Sequence, residues 1–165
     1  MAVAVSSVWY WLPAALWMLV IFGGSGEALA AHRTSRILGP IIRWLFPSLA
    51  QDKVDLLILL IRKCAHAVEF GVLAVLFWLA LVKPSRHNKP EWRWSDARRA
   101  LVLTALYAAL DEFRQSFVPS RQGAVQDVCI DVAGAVIALL LLSLLGRWRG
   151  WWRNTSPDRA AAGSE

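Results

Sequence analysis

Six ionisable side chains stand inside stretches that otherwise read as membrane spans: His66, Glu69, Asp111, Glu112, Asp127 and Asp131. A charge at the centre of a lipid-facing helix costs about 2.5–3.5 kcal/mol on the insertion scale, so the five acids left unpaired would cost on the order of 15 kcal/mol. Mutual pairing, a water-filled cavity or a working site would relieve that cost. His66 and Glu69 are spaced i, i+3. That spacing can share a metal, as in helix bundles, or carry a proton, since His titrates near neutrality; it also suits a structural hydrogen-bonded pair. Asp111, Asp127 and Asp131 could hold Mg²⁺ or Ca²⁺, which prefer oxygen ligands, or supply a general acid; the bland alternative is charge balance with Arg62, Lys63, Arg114 and Arg121. Arg121, between Pro119 and Gly123, could clamp a phosphate or carboxylate, or form a salt bridge to Asp127. No metal spacing such as H-E-x-x-H, no P-loop and no nucleophile–His–acid order is present. Catalysis, metal and cofactor therefore stay open.

The elements that carry these residues are hydrophobic. The 165-residue chain is 57% hydrophobic and 18% charged, with mean hydropathy +0.44, where soluble domains are nearer a quarter charged. Four runs are long enough for spans: Val8–Gly23, Leu56–Val82, Ala100–Pro119 and Ala124–Gly146. The second exceeds the roughly 20 residues a bilayer core needs, so part of it projects or tilts. The first lacks a basic leader, since no Lys or Arg precedes Arg33; a retained helix fits better than a cleaved signal. Between the first two runs, Thr34–Ala50 places Ile37, Ile41 and Leu45 on one stripe and Leu38, Ile42 and Phe46 on the next. That pattern predicts an amphipathic helix in the interface, with Pro40 and Pro47 breaking it into short pieces. Cys64 and Cys129 read as two buried thiols acting as small hydrophobes.

Charge sets the orientation. Lys83, Arg86, Lys89, Arg93, Arg98 and Arg99 follow the second span, and Arg147, Arg149, Arg153 and Arg159 follow the fourth. The other side holds Arg33, Arg36, Arg43, Lys53 and Arg121. The positive-inside rule then puts both termini in the cytoplasm. The net charge of +6 reports topology, not nucleic-acid binding, and the ten Trp suit interfacial anchors. Counted from the inner ends, His66, Glu69, Asp111, Glu112, Gln115, Asp127 and Asp131 all fall within about 12 Å of the outer surface at 1.5 Å per residue. Ser25, Glu27 and Arg121 join them there. Asp127, Asp131, Gly134 and Ala138 share one helix face, and the last two are small enough for close helix packing. Glu112 points about 100° away from Asp111.

The segment RKCAHAVEFGVLA (62–74) resembles the Lys–His–Glu element of the VanZ-like membrane proteins. DEFRQSFVPSRQGAVQDVCIDVAGA (111–135) is similar to that family's second signature, in which an Asp-Glu pair, a Gln, a Pro-x-Arg loop and a later Asp recur in order. IFGGSG (21–26) resembles the end of the family's first span. Four positions depart from the pattern. Arg114 stands where His is frequent, Asp131 where Asn is common and Ala138 where Gly is common, and Phe70 replaces a Tyr. The family takes its name from a protein associated with reduced teicoplanin susceptibility, so the resemblance implies a bacterial cytoplasmic-membrane protein with a link to glycopeptide susceptibility.

Together these readings predict an all-α polytopic membrane protein, a four-transmembrane-helix bundle with an outer amphipathic segment. A transmembrane domain covers 8–146, and a basic, then disordered, cytoplasmic tail covers 147–165. An outer-leaflet polar pocket is expected to bind or act on an anionic envelope lipid or lipid-linked headgroup. His66, Glu69 and Asp111 are the candidate catalytic residues; Arg121, Gln115, Asp127, Asp131 and Glu112 are the candidate ligand-binding ones. The expected partners are the bilayer and a lipid-linked envelope precursor, with no nucleic acid. The competing expectation is a non-catalytic structural or partner-binding protein whose polar cluster holds the helices together.

Overall fold

A computed structural model describes residues 7–24, 31–84, 90–117 and 125–152. Among them the chain is all-α: a 3-10 turn (Ser7–Tyr10) and five helices, α1 (Leu12–Gly24), α2 (Ala31–Leu45), α3 (Gln51–Val82), α4 (Trp94–Gln115) and α5 (Val125–Trp148). Two of them, α3 and α5, are long and apolar enough to cross a membrane.

The central element is α3, which packs against each of the other four helices. Its 32 residues extend about 48 Å at 1.5 Å per residue. Asp52 in its first turn complements the positive end of the helix dipole. Pro84 follows its C-cap, and a residue before proline is pushed out of the helical region. Lys83 closes the helix in a left-handed conformation (φ 49°), a common way for helices to end, and donates its N–H to Leu79 O at 2.9 Å.

The main core lies where α3 meets α1, α4 and α5. Phe70, Leu73, Ala74 and Trp78 of α3 are buried against Ala14 and Ile21, Ala100 and Ala108, and Ala135 and Leu139. Small residues set the α3–α5 spacing. A Cβ added at Gly134 would stand 2.7 Å from the Cα of Ala67, and one at Gly71 would stand 3.1 Å from the Ala138 methyl. The expectation that Gly134 and Ala138 permit close packing is met.

A second, smaller core joins α2 to the first turns of α3 through Ile42, Val54 and Ile58. The helix α2 runs unbroken through Pro40, which corrects the expected break there. A proline ring clashes with the Cβ of the residue before it, and here that residue is Gly39, which has none. The other apolar stripe of α2 stays open, with Ile37, Ile41, Trp44 and Leu45 all exposed.

The boundaries of α4 also differ from the expected Ala100–Pro119. It begins six residues earlier, where Asp96 accepts from Arg99 at 3.3 Å and favours the helix start. Its described helix closes at Gln115. The helix α5 ends in a Schellman closure, with Trp151 N–H on Gly146 O at 2.8 Å and Gly150 N–H on Arg147 O at 3.2 Å. Gly150 has φ +62°, the left-handed geometry such a closure requires. The chain then turns back. The Trp152 indole lies over Gly146, where an added Cβ would strike the ring, and its N–H donates to Ser143 O at 3.1 Å. Trp78, Trp92 and Trp152 cluster with centroids 5.1–5.4 Å apart. Residues 153–165 of the stretch read as a disordered tail lie outside the described residues.

Candidate functional site

Asp111 is the centre of the polar cluster. It lies in the last two turns of α4, 5% exposed, and accepts from Gln115 Nε2 at 2.6 Å and Arg114 at 2.9 Å. The i+3 and i+4 spacing of one helix makes both bonds local. Gln115 is buried with it. The Arg114 guanidinium also lies 4.3 Å from the centroid of the Phe22 ring, a cation–π contact that joins α4 to α1. Its Nε is buried and has no hydrogen-bond partner among the described residues.

Across the bundle, α5 contributes Asp131, 5% exposed. Asp131 lies among the acids Asp111, Asp127, Glu112 and Glu69. One turn nearer the start of α5, Asp127 is ion-paired with Lys63 of α3. This pair takes the role that charge balance reserved for a cation, and Lys63 fills it among the described residues. Arg121, the other candidate partner of Asp127, lies outside the described residues, as do Ser25 and Glu27. His66 Nδ1 stands 3.7 Å from Glu69 Oε2 along α3, and both are partly exposed. Glu112 is half-buried and is among the acids near Asp131.

Two clamps tie α1 to this layer. The Trp17 indole N–H donates to the Glu69 carbonyl at 2.9 Å. The Tyr107 hydroxyl donates to the Met18 carbonyl at 2.6 Å, with its ring against Phe70 at 6.2 Å. Phe70, 0% exposed, therefore serves as a packing surface for Tyr107. The acceptors here are main-chain carbonyls, which carry no side-chain signature, so nothing in the sequence marks these bonds. Arg114 was legible, since an arginine three residues after an aspartate on a helix faces it.

Glu69 and His66 on α3, Asp111, Glu112, Arg114 and Gln115 on α4, and Asp127 and Asp131 on α5 thus occupy one end of the bundle. Among the described residues, however, no three His, Cys, Asp or Glu side chains converge tightly enough to hold a metal ion. What the arrangement offers instead is a chain of charge-assisted bonds with one buried arginine N–H unspent. The two cysteines correct an expectation: Cys64 and Cys129 are exposed free thiols. Cys64 lines an open crevice along the α3–α5 seam together with Ala67, Gly71 and Gly134.

A family model described as VanZ/LLP1 matches residues 10–146. No curated protein matches the chain. No solved structure matches it either.

Proposed function

This chain belongs to the VanZ/LLP1 family, and from that premise we propose that it is an integral membrane protein whose polar end binds an anionic envelope lipid headgroup in the outer leaflet. In this reading the apolar segment Val8–Gly24, α3, α4 and α5 span the bilayer, α2 lies in the outer interface, and the basic segments flanking α3–α4 and following α5 are cytoplasmic, as the positive-inside rule requires. The membrane is the bacterial cytoplasmic membrane.

The observation that carries the headgroup reading is the Arg114 guanidinium. One of its edges is committed to Asp111 and its face to Phe22, while its buried Nε–H has no partner among the described residues. An unmade bond of a buried charged donor costs more than an ordinary hydrogen bond contributes. A phosphate oxygen is an acceptor that arginine binds strongly. Gln115 and Asp111 fix the fork, Arg121 adds a second cation, and His66 with Glu69 handles protons at the rim. With a lipid-linked precursor as ligand, the protein alters glycopeptide susceptibility by occupying that precursor. The test compares wild type, Arg114→Lys and Arg114→Gln in detergent, with phosphate-bearing and uncharged envelope lipids titrated into each. The reading expects selective stabilisation by the phosphate-bearing lipids in wild type, weakened by Lys and lost with Gln. Equal stabilisation of all three proteins by one lipid class would refute it.

A second reading has its own observation. The Lys63–Asp127 pair bridges α3 and α5, so part of the cluster is available as structural glue. It expects the Arg114 variants to lose folding stability whether or not lipid is present.

A further inference from the structure

A separate crevice lies at the opposite end of α4. It has a volume of about 590 Å³ and is lined by Leu81 at the end of α3 and by Ser95, Arg98, Arg99, Val102 and Leu103 of α4. Arg98 is thirteen positions from Asp111, so about 20 Å of helix separates this crevice from the polar cluster. We infer that it is a binding site for an anionic phospholipid of the inner leaflet, with the phosphate on Arg98 and Ser95 and an acyl chain in the crevice below.

Three observations converge. The first is charge. Arg99 is committed to Asp96 at 3.3 Å, whereas Arg98 is exposed and has no carboxylate partner among the described residues. Ser95 adds a hydroxyl one turn from Arg99. The second is the floor, where Leu81, Val102 and Leu103 are apolar; a soluble anion would have no use for it, and a phospholipid would. The third is continuity. Val102, Leu106 and Leu110 follow Arg98 at steps of four and are exposed by 57%, 59% and 63%. A helix places such residues in one row. That row is a track for a hydrocarbon chain leading away from the arginine. Basic pockets between helices on the cytoplasmic side are where anionic lipid headgroups are held.

The inference rests on the membrane reading proposed above, but not on the outer cluster. Its test uses the purified full chain in detergent, with phosphatidylglycerol and phosphatidylcholine of identical acyl chains as probes and bound lipid read by native mass spectrometry. Wild type should retain phosphatidylglycerol in preference. Arg98→Gln should lower that preference about fivefold, the equivalent of the ~1 kcal/mol that a basic side chain gains at an anionic surface, and Arg98→Lys should keep most of it. Val102→Trp, which fills the crevice, should weaken both lipids alike. Arg149→Gln removes a charge outside the crevice and should change nothing. No preference in wild type, a preference that survives Arg98→Gln, or an equal loss in Arg149→Gln would overturn the site. A protein that stays soluble and monomeric without detergent would instead refute the membrane reading.

Discussion

Substituting Gly134 by Ala tests the seam on which the bundle is built. The new Cβ would stand 2.7 Å from both Cα and C of Ala67, where carbon atoms are most favourably placed at about 3.5–4.0 Å. The nearest atoms are main chain of a neighbouring helix, so no side chain can rotate away, and α3 and α5 must part by about 1 Å. Overpacking of this kind costs about 1–3 kcal/mol, and the rigidity of the obstacle puts Gly134→Ala at the upper end. Replacing a helical glycine returns about 1 kcal/mol in helix propensity, leaving a net loss of about 2 kcal/mol. Tryptophan fluorescence during thermal unfolding in detergent should then show the midpoint falling by roughly 4–8 °C, taking 2–4 °C per kcal/mol for a chain of this size. Gly23→Ala is the matched control, since a Cβ there meets nothing within 4 Å, and it should be neutral or slightly stabilising. The reasoning fails if Gly134→Ala melts at or above wild type while the control behaves as expected.

Trp152→Ala removes the ring that covers Gly146 and closes the Trp78–Trp92 cluster, and should cost about 2–3 kcal/mol, below the 3–5 kcal/mol of a fully buried aromatic; chain ends placed after residue 152 and after residue 149 should differ in melting temperature by a matching amount. Lys63→Asp should destabilise, and adding Asp127→Lys should recover most of the loss in a double-mutant comparison; the pair is part-exposed, with 34% and 41% of its side chains accessible, so each loss should stay near 1 kcal/mol. Both Cys64 and Cys129 should react with a membrane-permeant maleimide in the folded protein, read by intact mass, and a protein that stays unlabelled until denatured would contradict their exposure.

Much of the fold was legible because hydrophobic runs and helical spacing are local properties. The apolar runs located α3 and α5, and Gly134 with Ala138 foretold the close seam before any neighbour was known. What escaped were features decided between elements. Pro40 reads as a breaker until the missing Cβ of Gly39 is considered beside it. The start of α4 was hidden because Trp94–Arg99 is mostly polar, while its helical state is favoured by burial of Ala97 in the main core and by the Asp96–Arg99 pair. In the site, Asp111, Gln115 and Asp131 are all buried, and Asp111 accepts from Gln115 one turn on. The partner of Asp127 could not be chosen from sequence, where Lys63 and Arg121 are equivalent cations. The Trp17 and Tyr107 clamps were invisible, because they end on main-chain carbonyls. The burial assigned to Cys64 and Cys129 failed for a related reason: apolar surroundings in the sequence do not say which side of a helix faces a neighbour.

The docking of α2 on α3 has a mechanical consequence. Ile58, where the small core ends, and Trp78, where the indole cluster begins, are twenty residues apart on one uninterrupted helix. At 1.5 Å per residue that is about 30 Å, which is the thickness of a bilayer's hydrocarbon core. Under the membrane reading proposed above, the helix acts as a strut of fixed length between an amphipathic float at one end and an aromatic anchor at the other. Neither end can change its height without the other. In a thicker or thinner bilayer the strut must tilt or the lipid must deform around it, at fractions of a kcal/mol per ångström of mismatch. In the membrane setting proposed above, a protein built this way carries a gauge of bilayer thickness.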